Sequence, residues 1–260
     1  MSETFFPTRR LLRVWQRHWT VYRRTWKISF VPPLLEPLFY LLAFGVGLST
    51  LVGSIHYQGR TLSYSAFIAP ALIAINVMNS AFFENTYASF VRMHYQKTFD
   101  AMLATPLSLP EVVCGEILWG ATKALIGTAL MMGVISAFGL IRYPSGLLLL
   151  PLAVLGGVVF GALGMCFTSL VPNIEAFNLP VFLFITPMFL FGGTFFPVAN
   201  LPPWARQVAG FLPLTHLVEA ARALCLGQTA GLAGALVYLG AGAVLIIPLA
   251  IVGMRRRLIR

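Results

Sequence analysis

Glu84, Glu116 and Lys123 lie within or at the edge of long apolar stretches, and Glu116 and Lys123 are seven residues apart, on roughly one face of a helix. Ionisable groups at membrane depth are costly, so they pair with one another or face a cavity. These three therefore read either as a structural ion pair that sets helix register or as groups coupled to a ligand or a conformational change. Glu36 and Glu175 open apolar runs, where a carboxylate complements a helix N-terminus. The four histidines, His18, His56, His94 and His216, are scattered without ligand spacing, and Cys114, Cys166 and Cys225 show no CxxC pairing, so no metal site is expected. No nucleophile, base and orienting group converge, and no catalytic residue is assigned. The chain also contains no GxxxxGK[ST] stretch, so ATP hydrolysis, if it is used, must come from another polypeptide.

The elements that position these groups are set by composition. Of 260 residues, 58% are hydrophobic and 10% charged, with a mean hydropathy of +0.83, against roughly a quarter charged in an ordinary soluble domain. A soluble fold is excluded. Continuous apolar runs without period-2 alternation select helices over a barrel. The reading is an all-α polytopic membrane protein with six spans, at about 33 to 53, 64 to 90, 113 to 139, 147 to 171, 174 to 193 and 232 to 253. Glycines in the fourth span, Gly156, Gly157, Gly161 and Gly164, suit close helix packing.

Basic residues gather before the first span, in the loop after the second (Arg92, Lys97) and at the C-terminal end, against Arg60, Arg142, Arg206 and Arg222 on the other side, which places both termini in the cytoplasm. The net charge of +10 is spread over membrane flanks instead of one soluble face, which argues against a nucleic-acid partner. The first thirty residues are too long and too rich in Arg and Trp for a cleavable signal. Within them Leu11, Trp15, Trp19, Tyr22 and Trp26 recur at spacings of three and four, which defines an amphipathic helix at the headgroup boundary over residues 1–30. Pro32 and Pro33 are expected to end it and begin the first span of the 31–260 membrane domain.

Two further segments stand out. After the second span, a short helix over about 98–105 starts with Thr98 as its cap, carries Asp100 in its first turn and is ended by Pro106. Its apolar face, Phe99, Met102 and Leu103, either closes a loop on the membrane surface or docks a soluble partner. Between the fifth and sixth spans, residues 194–228 are too apolar for a free loop and too broken by Pro197, Pro202, Pro203 and Pro213 for one crossing. They read as two short re-entrant helices on the outer side.

In this order and spacing, Phe82 to Tyr87, Arg92 to Leu107, Gly115 to Lys123, Ile185 to Gly193 with Phe196 and Pro197, Phe211 to His216 and the terminal Arg255 to Arg260 resemble the ABC-2 family of ATP-binding-cassette exporter membrane subunits, and within it the nodulation protein J group. The resemblance covers essentially the whole chain. It implies an inner-membrane homodimer with two separate ATPase subunits, which carry the ATP and Mg2+, and no cofactor in this chain. It also implies that Phe99, Asp100, Met102 and Leu103 form a coupling helix, and that Phe196, Pro197, Pro213 and His216 belong to an outer gate. The nodulation group exports a lipid-modified chitin oligosaccharide, so an amphiphilic substrate is expected, with Phe39, Phe184 and Phe189 as candidate pathway liners. Two rival readings are an intramembrane lipid-modifying enzyme built on the buried Glu and His residues, and a proton-coupled secondary transporter using Glu84 and Glu116. The first lacks a catalytic constellation and the second lacks repeat halves.

Overall fold

The computed structural model describes residues 9–40, 42, 43, 47, 53–228 and 231–258, without the side chains of 28–30, 32–34, 36 and 37. A helix α1 (Leu11–Tyr40) leads into a two-stranded hairpin of β1 (Ser54–Tyr57) and β2 (Arg60–Ser63). Then come α2 (Tyr64–Tyr95), the short α3 (Thr98–Leu103), α4 (Leu109–Ala137) and α5 (Ser145–Leu170). The chain continues through α6 (Glu175–Phe191), α7 (Pro203–Gly210), α8 (Pro213–Leu226) and α9 (Leu232–Leu258). Four of these, α2, α4, α5 and α9, are long and apolar enough to cross a membrane. At 1.5 Å per residue each exceeds a hydrocarbon thickness of ~30 Å.

The expected fifth span corresponds to the shorter α6, and of the first, residues 41, 44–46 and 48–52 lie outside the described residues. One expectation is corrected here. The backbone stays helical through Pro32 and Pro33, because a proline removes one intrahelical bond without obliging a membrane helix to stop. The hairpin was not anticipated at all. Gln58 and Gly59 both take positive φ, 48° and 75°, the conformation that lets a two-residue turn follow the twist of the paired strands.

Residues 194–228 do contain two short helices. Pro203 and Pro213 each occupy a first turn, where no N–H is needed, and α7 and α8 meet at 83°.

Close approach of backbones organises the bundle. A Cβ on Gly157 of α5 would stand 2.7 Å from the Ala121 Cα of α4, and one on Gly164 would stand 3.0 Å from the Phe82 carbonyl of α2. Lipid offers no hydrophobic drive for helices to associate, so this contact density is what holds them. Both described chain ends lie at one end of the bundle, here called basal. Arg10 donates to the Pro106 carbonyl at 2.8 Å. Arg257 donates to the carbonyls of Thr168 and Val171, closing the C-terminus of α5. The hairpin, α7 and the N-terminus of α2 lie at the opposite, distal end.

Replacing Gly157 by Val forces α4 and α5 apart. The expected loss is about 1–3 kcal/mol from overpacking, read as a lowered thermal midpoint of the detergent-solubilised protein. Gly240, which has open space around it, serves as the tolerant control for Gly→Ala.

Candidate functional site: a buried ion network beside an open cleft

The last third of α2 leaves α-helical geometry twice, in π turns at Glu84–Ala88 and Val91–Tyr95. A π turn holds an extra residue, so the side chains beyond it rotate relative to a regular helix. With these turns, Glu84, Ser89 and Arg92 all address α4. The Arg92 guanidinium bridges two carboxylates, with Nη1 at 2.7 Å from Glu84 Oε1 and Nη2 at 2.5 Å from Glu116 Oε2. Lys123 Nζ takes the other Glu84 oxygen at 2.6 Å. Ser89 Oγ donates to Glu116 Oε2 at 2.7 Å, and His18 Nε2 of α1 lies 2.8 Å from Glu116 Oε1.

Glu116 is fully buried and Glu84 nearly so. Every carboxylate oxygen is engaged, which is the condition under which buried charge is tolerated. The network ties α1, α2 and α4 together at the basal end. It joins the three residues singled out by sequence, Glu84, Glu116 and Lys123, and adds three: Ser89, not noted in the sequence, Arg92, assigned to a loop, and His18, read only as lacking metal-ligand spacing. The π turns, which bring Arg92 round to both carboxylates, leave no simple trace in residue spacing.

Beside the network opens a cleft of about 470 Å³ between α1, α2 and α4. Its walls are Val21, Tyr22, Tyr87, Val91 and Trp119, and its charged rim is Arg17, Glu84, Arg92 and Lys123. Trp119 stacks on His18 at 5.5 Å and meets Tyr22 edge-on at 5.5 Å. Trp15 donates from Nε1 to Thr122 Oγ1 at 2.9 Å, fixing α1 against α4. Burial pushes the Arg17 guanidinium below its ordinary pKa, an effect that Glu116 opposes and Arg92 reinforces.

The remaining sequence candidates fall in three places. On α3, Phe99 and Met102 are buried against the basal core with Val14, Phe90, Val113 and Met254, while Leu103 is half-buried. They are not the exposed knobs expected from sequence. The helix lies against its own subunit, so its apolar face is spent inward, and Asp100, Ala101 and Ala104 point out. Thr98 does not cap this helix either: Lys97 precedes it in a left-handed conformation at φ 52°, with no side-chain capping bond.

At the distal end, Phe196 is exposed, Pro197 is buried, and Pro213 opens α8. His216 Nε2 lies 2.9 Å from the Gly210 carbonyl and the ring stacks on Tyr238 at 3.8 Å. Arg222, read from sequence as an outer-loop cation, is buried inside α8 instead. Its Nε donates to the Phe67 carbonyl at 3.2 Å, its Nη2 to the Gly193 carbonyl at 3.0 Å, and its guanidinium covers the Phe67 ring at 3.8 Å. Of the pathway candidates, Phe39 is exposed. Phe184 packs on Phe167 at 5.6 Å and Phe189 on Phe195 at 5.0 Å, both partly buried within the subunit. The π turn Val181–Ile185 turns Phe182 and Leu183 outward in their stead.

Removing Glu116 leaves Glu84 alone to balance both Arg92 and Lys123. Glu116→Ala is expected to cost about 3–5 kcal/mol, and adding Arg92→Met should recover part of that loss by removing the surplus cation. Thermal unfolding of the single and double variants in detergent checks this, and equal midpoints for Glu116→Ala and the double variant would contradict it.

With the geometry in view, the comparisons with known proteins converge. The family profile described as ABC-2 type transporter matches residues 9–226. Nodulation protein J of Rhizobium leguminosarum bv. viciae is 37% identical over 254 residues, covering 96% of this chain and 95% of that protein. Nodulation protein J of Bradyrhizobium diazoefficiens is 36% identical, covering 95% and 93%. The inner membrane transport permease YadH of Escherichia coli is 24% identical, covering 82% and 81%. A profile match over most of the chain, together with relatives above 30% identity along nearly its full length, makes this a multi-pass membrane protein and a subunit of the ABC-2 type transporter family.

Proposed function

We propose that this chain is the permease subunit of an ABC exporter, that two copies work with two separate ATPase subunits, and that the cargo is an amphiphile such as a lipid-modified oligosaccharide or a lipid-linked polysaccharide. The basal end faces the cytoplasm in this reading, supported by the basic residues Arg9, Arg10, Arg13, Lys97 and Arg255 to Arg257 gathered there. The observation that carries the proposal is the placement of α3. Its inner face, Phe99 and Met102, is locked into the basal core, and its outer face carries Asp100, Ala101 and Ala104.

A helix set this way transmits displacement. The ATPase presses on the small outward side chains, which allow close approach. Phe99 and Met102 prevent the helix from sliding over its own subunit. Motion then passes from α3 into the end of α2, where Arg92 links α2 to α4 through Glu116 and Glu116 links to α1 through His18. The roles divide accordingly: Phe99, Met102 and Leu103 anchor the coupling helix, and Asp100 with its outward neighbours meets the ATPase.

Two measurements test this reading. Ala101→Arg and Ala104→Arg should leave the thermal midpoint unchanged but abolish co-purification of the ATPase and substrate-stimulated hydrolysis. Phe99→Ala should instead lower stability by about 3–5 kcal/mol, the usual cost of emptying a buried phenylalanine site. Full recovery of the ATPase by both arginine variants would move the docking surface elsewhere.

Orientation is checked in a cysteine-free background with Lys97→Cys and Arg142→Cys. An impermeant thiol reagent added to intact cells should label position 142 and spare position 97, and the reverse pattern would invert the assignment.

A further inference from the structure

The cleft between α1, α2 and α4 has more cationic than anionic capacity. Both oxygens of Glu84 are taken, by Arg92 and Lys123, and both oxygens of Glu116 are taken, by His18, Ser89 and Arg92. Against these two carboxylates stand three cations, Arg92, Lys123 and Arg17. Arg17 lines the cleft, is only partly exposed and makes no hydrogen bond or ion pair among the described residues, which leaves its five N–H donors available. Lys123 uses one of its three donors on Glu84, and its side chain remains one-third exposed beside the same space. A half-buried guanidinium whose nearest opposing charge, Glu116, is already bonded to other groups is unfavourable, and an anion delivered to it is correspondingly favoured.

The walls select what carries that anion. Val21 and Val91 give the cleft an apolar side, and Tyr22 and Trp119 are rings of the kind that settle at the boundary of headgroup and acyl chain. A volume of about 470 Å³ falls in the lower part of the range for ligand pockets, roughly 300–1,000 Å³. It holds a headgroup and leaves acyl chains outside in the bilayer.

We infer that this cleft binds the phosphate-bearing headgroup of an anionic amphiphile, with Arg17 and Lys123 as the anion's ligands and Val21 and Val91 against the start of its chains. This goes beyond the transport reading and does not depend on cargo or direction. The donors recognise a phosphate, whether it belongs to a membrane phospholipid or is free in solution, and the apolar wall favours the lipid.

The test uses the delipidated full-length protein in neutral detergent. Phosphatidylglycerol, phosphatidylcholine and inorganic phosphate are titrated separately, with binding counted by native mass spectrometry and by the rise in thermal midpoint. Phosphatidylglycerol should bind and stabilise, while phosphatidylcholine and inorganic phosphate should bind at least tenfold more weakly. Arg17→Gln should weaken phosphatidylglycerol about tenfold without lowering the midpoint of the lipid-free protein, since Arg17 holds no structural bond. Arg24→Gln, an exposed cation on the same helix outside the cleft, should bind as the parent does. Val21→Trp fills the cleft without altering charge and should weaken binding like Arg17→Gln. Equal losses for Arg17→Gln and Arg24→Gln would reduce the effect to diffuse surface attraction and overturn the site. Inorganic phosphate binding as tightly as the lipid would overturn the amphiphile assignment, and unimpaired binding by Val21→Trp would place the lipid outside the cleft.

Discussion

The Arg92 guanidinium, shared between Glu84 and Glu116, is the constraint on which the basal half of the molecule depends. A single buried cation serving two carboxylates on different helices fixes both the rotation and the height of α2 against α4. Its planar fork is suited to that task in a way a lysine ammonium is not. Lys123 and His18 complete the set from either side, so that α1 is held by the same charges that align the spans. Charge here specifies an arrangement more than it adds stability, since a well-packed apolar substitute for a buried network is often as stable.

Away from that network, the bundle relies on missing side chains. Asn85 of α2 occupies space left by Gly161 and Gly164 of α5, and Thr168 of α5 donates to the Asn85 carbonyl at 2.7 Å. Gly161, Gly164 and the first π turn of α2 are thus two sides of one device. The turns widen α2 locally, and the glycines provide room for the widened backbone.

Much of this architecture was legible in the sequence because its causes are local. Apolar runs longer than the bilayer is thick announce α2, α4, α5 and α9, and the glycine run announces tight packing around α5. Proline positions foretell the break between α7 and α8. What was not legible is set by tertiary geometry. Nothing in the spacing of Glu84 and Arg92 reveals that two π turns bring them into contact. The apolar face of α3 was visible, but whether it turns toward a partner or toward its own subunit is decided by Phe90 and by Val14 and Met254, which are distant in sequence. Arg222 was misplaced for a similar reason. A single charge in a proline-broken, partly apolar segment looks like a loop residue until the carbonyls that receive it are seen.

Those carbonyls give the distal end a particular character. Phe67 and Gly193 offer Arg222 backbone carbonyls, the Phe67 and Tyr57 rings flank its guanidinium, and Glu219 acts on it from beyond ion-pair distance. Dipoles and aromatic rings replace only part of the hydration that a buried cation has lost. Any separation of α8 from the end of α6 or the start of α2 uncovers a charge that draws solvent in. Covering that guanidinium again requires the packing around α8 to be restored.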